Sequence, residues 1–300
     1  MKRFLIKIFV FFAIIAVCDF GFGCIFDYMQ GNAKGGKTKT LDDLLVNDCH
    51  DVVVLGSSRA YRHYDPVILE QTLGCDCYNA GYDGMGIVFD YPVLSTILER
   101  CQPRLVIYEV TRNSDLNVNN DDANNRYISM LKPYFRNPKV AEVIRSVSMV
   151  SYIKLHSSLY RYNTEFLNIV LDFFKSRNMD YKGYQPYRET FKFIYPTHID
   201  ENYDSLKLYW LREFAKLSKV NNVKMVWVLS PQFNLNDEDY CTYRMAKEIA
   251  GEYDIPFFDH YYDNNFCEHE EYFKDEIHLN IFGASLFSQI IASELLPLIQ

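Results

Sequence analysis

Two segments that lie far apart in the chain carry the residue types that nucleophilic catalysis needs. In "VVVLGSSRAYRH", Ser57 and Ser58 follow a β-branched run, and in "FKDEIHLN", Asp275 stands three residues before His278. A serine hydroxyl becomes a nucleophile when an imidazole takes its proton, and a carboxylate fixes the tautomer of that imidazole. Either segment alone is more typical of a helix cap. Together they predict nucleophilic catalysis in which His278, oriented by Asp275, takes the proton of Ser57 or Ser58.

Alternating strand and helix patterns predict the scaffold that would bring these two segments together. Helical patterns separate five short apolar runs, at residues 51–56, 75–81, 104–110, 223–230 and 255–260. This alternation predicts an α/β fold with a five-stranded, parallel, doubly wound (flavodoxin-like) sheet. Ligands of such sheets bind beyond the carboxyl ends of the strands. We therefore expect the serines and the Asp-His segment at the same edge.

The interval between the third and fourth strands, about residues 116–201, is too long for a plain crossover. Its helical patterns, such as "NTEFLNIVLDFFKSR", predict a helical insertion on the α/β core. We expect one α/β domain over residues 47–300 that includes this insertion.

The spacing of several short motifs resembles the SGNH (GDSL-type) hydrolase superfamily, in a variant where "GSS" replaces Gly-Asp-Ser. The resemblance makes Ser58 the nucleophile and gives the backbone N–H groups of Ser58 and Gly81 the role of oxyanion donors. Asn79 and Gly81, in "YNAGYDG", match the Asn-x-Gly motif. Asp275 and His278, followed by "LNIFGA", match the Asp-x-x-His motif. The resemblance covers roughly residues 50–115 and 220–300.

One motif departs from the superfamily pattern. After the third strand, where Gly-x-Asn-Asp is usual, this chain has "YEVTRNSD". Asn113 is loosely in register with the asparagine that supplies a third oxyanion donor. Either Asn113 or Asp115 reaches the site, or the third donor is missing. Asn79, Arg59 and Asp115 are candidate substrate-binding residues.

The resemblance implies a serine esterase or O-acyltransferase that needs no cofactor. Its partner would be a small-molecule or glycan acyl ester of the cell envelope or of an exopolysaccharide. A catalytically silent glycan-binding or assembly protein with the same fold is the alternative, and the irregular third motif favours it.

The N-terminal segment, residues 1–26, has the pattern of a transmembrane anchor or a signal segment. Lys2 and Arg3 precede a long apolar stretch interrupted by Lys7 and Asp19. Basic residues ahead of such a stretch keep the N-terminus in the cytoplasm. We expect an anchor in the inner membrane, with the catalytic domain outside the cytoplasm on the periplasmic side. Asp19 then needs a polar partner or a shallow position.

Residues 27–46 are predicted to be a linker, although "GNAKGGKT" within them matches a phosphate-binding loop. Such a loop follows a buried strand, and no strand pattern precedes Gly31. We therefore expect no nucleotide binding. The formal net charge of -8 argues against a nucleic-acid partner. The eight cysteines have no metal-ligand spacing, so we predict no metal site.

Overall fold

Five short strands form one parallel sheet in the computed structural model of the chain. They are β1 Val52–Gly56, β2 Cys77–Asn79, β3 Leu105–Glu109, β4 Met225–Leu229 and β5 Phe257–Asp259. Their order is β2-β1-β3-β4-β5, which is the flavodoxin-like order. All neighbouring pairs are parallel. The predicted fold class is confirmed.

The structure describes residues 1–118, 123–175, 182–192, 202–233 and 243–299. Within these ranges the α-helices are α1 Lys2–Gly31, α2 Gly36–Asp42, α3 Ser58–His63, α4 Pro66–Leu73, α5 Ile87–Leu98, α6 Arg112–Asp115, α7 Ala123–Ser129, α8 Pro138–Val147, α9 Met149–Lys154, α10 Ser158–Tyr162, α11 Phe166–Phe174, α12 Ser205–Val220, α13 Arg244–Glu252, α14 Asn264–Cys267 and α15 Ile281–Ile299. Two strands that the sequence patterns did not predict, β6 Phe273–Asp275 and β7 His278–Leu279, form an antiparallel hairpin.

Both faces of the sheet are covered, as the continuous β-branched strands predict. On one face, Val54 and Ile107 belong to a buried core that includes Phe287 of α15. On the other face, Tyr108 lies against Phe214 of α12, with ring centroids 4.5 Å apart. Gly56 ends β1 with φ +133°, and a Cβ there would collide with the backbone of Glu109. A glycine is therefore required where the chain turns from β1 into α3.

The chain divides into two compact units. The sheet unit comprises residues 47–127 and 179–300, and the helical unit comprises residues 1–46 and 128–178. The helical unit thus combines the N-terminal segment with the middle of the predicted insertion. The boundary after residue 46 coincides with the predicted start of the α/β domain. No boundary falls at residue 26, and residues 128–178 of the predicted insertion group with the N-terminal segment, because contacts between segments distant in sequence define the units.

The segment predicted as a linker, residues 27–46, is helical over most of its length. α1 continues to Gly31, and α2 begins at Gly36. The phosphate-loop match therefore follows a helix rather than a strand. The carboxylate of buried Asp172 accepts a hydrogen bond from the Thr38 amide at 3.2 Å. A phosphate bound at the start of α2 would need this amide, but the Asp172 carboxylate of the same unit already accepts its hydrogen bond.

A disulfide joins Cys49 to Cys101 in the sheet unit. Cys49 lies just before β1 and Cys101 just before β3, and these strands are neighbours. Residues that precede adjacent parallel strands lie side by side, so the pair is geometrically favoured. The scattered cysteine spacing gave no indication of this pairing.

Among the residues that the structure describes, two helices, α1 and α15, are long and apolar enough to cross a membrane. α15 buries Phe287, Ile291 and Leu295 in the core of the sheet unit, as a core helix does. α1 lies near the N-terminus, and only 6% of its most apolar 18-residue stretch is buried. Its pattern is that of a membrane anchor or a signal sequence.

Candidate active site

Ser58 and His278 meet although 220 residues separate them. Ser58 is the first residue of α3, directly beyond the carboxyl end of β1, and His278 is the first residue of β7. The Ser58 Oγ lies 2.9 Å from the His278 Nε2. This distance suits a hydrogen bond along which the hydroxyl proton can pass to the imidazole.

Asp275 completes the arrangement from the other side of the imidazole. Its Oδ1 and Oδ2 lie 2.8 and 3.1 Å from the His278 Nδ1. The hairpin creates this contact, because Asp275 of β6 is paired with His278 of β7 across a two-residue turn. The Oδ1 also accepts hydrogen bonds from the backbone amides of Ile277 and His278 at 3.1 and 3.0 Å. The carboxylate is thus fixed before it orients the imidazole.

The environment of Asp275 keeps its side chain ionised. Burial raises the pKa of this carboxyl, but hydrogen bonds and charge from His278, with a hydrogen bond from Lys274, outweigh burial and lower the pKa to about 2. The Lys274 Nζ lies 2.9 Å from the Asp275 Oδ2. When the imidazole is neutral, the carboxylate accepts its Nδ1 proton, which leaves Nε2 unprotonated and facing Ser58. The three residues predicted as catalytic are therefore brought together in an arrangement suited to proton transfer.

The amide of Gly81, predicted as an oxyanion donor, is already engaged. It donates a hydrogen bond of 2.9 Å to the Asn79 Oδ1. Asn79 itself was predicted to bind substrate, but its side chain is buried and its Nδ2 donates to the carbonyl oxygens of Ala60 and Tyr64. Asn79 therefore ties the end of β2 to α3 and does not present its side chain to a substrate.

Arg59, also predicted to bind substrate, is buried. Its Nε lies 2.9 Å from the Glu109 Oε1 in an ion pair whose two side chains are 1% and 0% exposed. Arg59 also donates to the hydroxyl and carbonyl oxygens of Ser230. Burial raises the pKa of Glu109, while the Arg59 charge and hydrogen bonds from Tyr64 and Ser230 oppose that rise. Through these contacts the Arg59 guanidinium holds the first turn of α3 against the ends of β3 and β4.

Asp115 is likewise buried and does not face a substrate. Its carboxylate accepts hydrogen bonds from the amides of Ile87 and Thr111 at 2.9 and 2.6 Å, so it caps the start of α5. Burial raises the pKa of Asp115 to about 7, against the lowering effect of these hydrogen bonds. Asn113 lies within α6, but its side chain is outside the part of the chain that the structure describes.

His63 supports the hairpin that carries His278. Its Nε2 accepts a hydrogen bond of 3.0 Å from the Leu279 amide, so its proton is on Nδ1 and points to the Ser230 Oγ, 2.7 Å away. Burial, with the nearby Arg59 charge, lowers the pKa of His63 well below its usual value. A neutral His63 is thus a positioning residue beside His278, and it does not contact Ser58 in this arrangement.

The edge of the site includes Tyr187, which the sequence analysis did not single out. Tyr187 lies edge-on to the His278 ring, with centroids 5.5 Å apart, and forms an isolated bridge with Asn280. The Arg62 guanidinium and the Lys274 Nζ lie 4.2 and 4.6 Å from the Tyr187 ring centroid. The predicted insertion thus returns an aromatic side chain to the catalytic imidazole.

Comparisons with known proteins do not assign a function to the chain, so a functional assignment rests on the geometry of the site. No protein-family model and no curated protein matches the chain. Similar solved structures include a candidate acylhydrolase from Bacteroides fragilis, at 12% identity and TM-score 0.42, covering 91% of this chain and 95% of that one. A second is a candidate platelet activating factor from Streptococcus pneumoniae, at 11% identity and TM-score 0.44, covering 94% of this chain and 98% of that one. A third is an acetyl xylan esterase from Butyrivibrio proteoclasticus, at 8% identity and TM-score 0.36, covering 81% of this chain and 63% of that one. Similarity at this level does not decide what the chain does.

Proposed function

We propose that the protein is a serine-dependent ester hydrolase or acyltransferase that works through a covalent acyl-serine. One observation carries the proposal: the Ser58 Oγ lies 2.9 Å from the His278 Nε2, while the Nδ1 of the same ring lies 2.8 Å from the buried Asp275. A helix cap needs neither a histidine at the serine nor a carboxylate behind that histidine. An activated serine needs both.

In the first step, the Ser58 Oγ attacks the ester carbonyl carbon while its proton passes to the His278 Nε2. The imidazolium is stabilised by Asp275, which remains ionised. When the tetrahedral intermediate collapses, the bond to the leaving alkoxide breaks and His278 returns the proton to that oxygen. Water or an acceptor hydroxyl then attacks the acyl-serine, with His278 as base again, and Ser58 is regenerated.

The developing oxyanion needs donors near Ser58. The Ser58 amide is at the start of α3, where no intrahelical acceptor exists, and no other acceptor for it occurs among residues that the structure describes. The Gly81 amide can contribute only by sharing its hydrogen with Asn79 or by leaving that side chain. We retain Asn113 as the proposed third donor, since α6 follows β3, the neighbour of β1. While the Gly81 amide stays bonded to Asn79, one donor is missing, which costs about 10²–10³ in rate, so a modest rate is expected.

We further propose that the site acts outside the cytoplasm, on acyl esters of envelope or exopolysaccharide glycans. The apolar α1 supports an anchor in the inner membrane. The disulfide between Cys49 and Cys101 supports an oxidising compartment on the periplasmic side. The choice of glycan follows from the resemblance to the SGNH superfamily.

Hydrolysis of an activated acetyl ester by the full chain in detergent tests the proposal. Ser58→Ala should lower kcat by at least about 10³, because the nucleophile is lost. Ser57→Ala is the matched control, since Ser57 is buried beside it and caps α3 without a side-chain hydrogen bond to the helix. Ser57→Ala should keep most of the activity. Equal rates for the wild type and Ser58→Ala would favour the silent glycan-binding alternative.

A further inference from the structure

The helical unit exposes large apolar side chains well beyond the N-terminal stretch. Eight lie between residues 149 and 174 and are at least 42% exposed: Met149, Val150, Ile153, Leu159, Phe166, Leu167, Leu171 and Phe174. The inner side of α11 contributes Ile169, which packs with Phe26 and Tyr162. An isolated exposed leucine needs no explanation, whereas a set confined to one unit does.

α1 changes character at Asp19. Before this residue its side chains are exposed, as Phe11 is at 59%, whereas Gly23 and Phe26 are buried within the unit. The Asp19 carboxylate accepts hydrogen bonds from the Ser157 Oγ and from the amides of Ser158 and Leu159, at 2.7 to 2.9 Å. Asp19 thus caps α10 and obtains the polar partners that the sequence required. The start of α10 is held at the level of residue 19 along α1.

This contact sets the depth of α10 if α1 crosses a bilayer. Lys2 and Asp19 are 17 residues apart in α1, which is about 26 Å of helix at ~1.5 Å per residue. A hydrocarbon core is about 30 Å thick. With Lys2 at one boundary, Asp19 lies within about one helical turn of the other boundary. Leu159 of α10, and α9 immediately before it, then lie at the outer surface of the membrane.

The charge distribution supports the same surface. If Lys2, Arg3 and Lys7 are left out, because the anchor places them towards the opposite face of the membrane, the helical unit has 11 Lys and Arg against 7 Asp and Glu, a formal charge of +4. The sheet unit has 17 against 32, a formal charge of -15. Basic residues are attracted to anionic headgroups, each contributing about 1 kcal/mol near the surface. The unit that exposes the apolar residues is therefore also the one that an anionic bilayer attracts.

We infer that α9 and α10 form a second membrane contact, in which Met149, Val150, Ile153 and Leu159 enter the outer leaflet of an anionic bilayer beside the anchor. These four residues are the interfacial patch. The inference rests on the membrane anchor proposed above but not on the proposed catalysis. It adds a second attachment beside the anchor helix, which fixes the orientation of the helical unit on the membrane.

Tryptophan substitution in the full chain tests the interfacial patch, because the two native tryptophans, Trp210 and Trp227, are buried in the sheet unit. Ile153→Trp is the test variant. Phe11→Trp reports on the anchor itself. Val220→Trp is the aqueous control, since Val220 is 79% exposed at the end of α12 between Lys219 and Asn221. Each variant is reconstituted into vesicles of phosphatidylcholine and phosphatidylglycerol, with and without bromine on the acyl chains.

Brominated chains should quench roughly half of the added fluorescence of Ile153→Trp, with a blue-shifted emission, and should leave Val220→Trp unchanged. Quenching of Phe11→Trp with none of Ile153→Trp would overturn the inference while the anchor stands. A blue shift of Ile153→Trp without quenching would mean that another protein surface covers the patch, which also overturns it. An unquenched Phe11→Trp would overturn the anchor and the inference together. Esterase activity, measured on the same vesicles, decides the catalytic proposal separately.

Discussion

Replacing Asp275 by asparagine tests the orientation of His278 with little change in shape. The Oδ1 position accepts two backbone amides, so the oxygen of the substituted amide is expected there. The NH₂ group then occupies the Oδ2 position, facing the Lys274 Nζ and the His278 Nδ1 at the present 2.9 and 3.1 Å. The oxygen at the Oδ1 position still lies 2.8 Å from the same Nδ1, but the amide has no charge to stabilise an imidazolium, and its NH₂ group competes at Nδ1 and favours the tautomer protonated on Nε2. That tautomer cannot take the proton of Ser58.

Both activity and stability should respond to Asp275→Asn, and each change has an expected size. The wrong tautomer should lower kcat by about 10⁴, with little effect on KM. The pKa of Asp275 is lowered from 3.8 to about 2, so the carboxylate contributes about 2 kcal/mol of stability above pH 4. The contribution is lost as the pH falls towards 2, because the folded state then binds the proton as well.

Ester hydrolysis at neutral pH and urea unfolding between pH 2 and pH 7 measure these two effects. The wild type should be the more stable protein at pH 7, and the difference from Asp275→Asn should shrink as the solution is acidified. A variant that keeps more than a tenth of the wild-type kcat would refute the role given to Asp275. A stability difference that grows on acidification would show that the cause assigned to the lowered pKa is wrong.

Three further substitutions have defined expectations. Glu109→Gln leaves the Arg59 charge buried without its counterion and should cost about 3–5 kcal/mol in urea unfolding, whereas replacing both residues by apolar ones should cost less. Replacing Cys49 and Cys101 by serine opens a loop of 52 residues and should cost up to about 4 kcal/mol, seen as a lower urea midpoint. Lys37→Ala should leave ester hydrolysis unchanged, and a loss of activity would revive the nucleotide-binding interpretation.

The parts of the fold that local sequence patterns encode were predictable. Strands β1 to β5 lie within the predicted runs. β1, β3 and β4 are buried throughout, and a strand buried on both faces needs a continuous apolar stretch. The Asp275 and His278 pairing was also visible, since their spacing fits opposite ends of a tight hairpin even though that hairpin was not foreseen.

What depended on contacts distant in sequence was not predictable from local patterns. Asp19 has its partners at residues 157–159, so the place of α1 in the helical unit could not be derived from α1 alone. Arg59 was predicted to bind substrate, and its burial depends on Glu109 and Ser230, which are distant in sequence. The one available signal was Glu109, a carboxylate inside the apolar run "LVIYEV", because a buried carboxylate requires a cation nearby.

Fluorophosphonate labelling of the full chain, with peptide mass spectrometry to locate the adduct, tests the central claim most directly. A hydroxyl activated by His278 should give one covalent adduct, on Ser58, and His278→Ala should abolish it on the same time scale. No adduct, an adduct on Ser57, or labelling that persists without His278 would contradict the proposed proton transfer between Ser58 and His278.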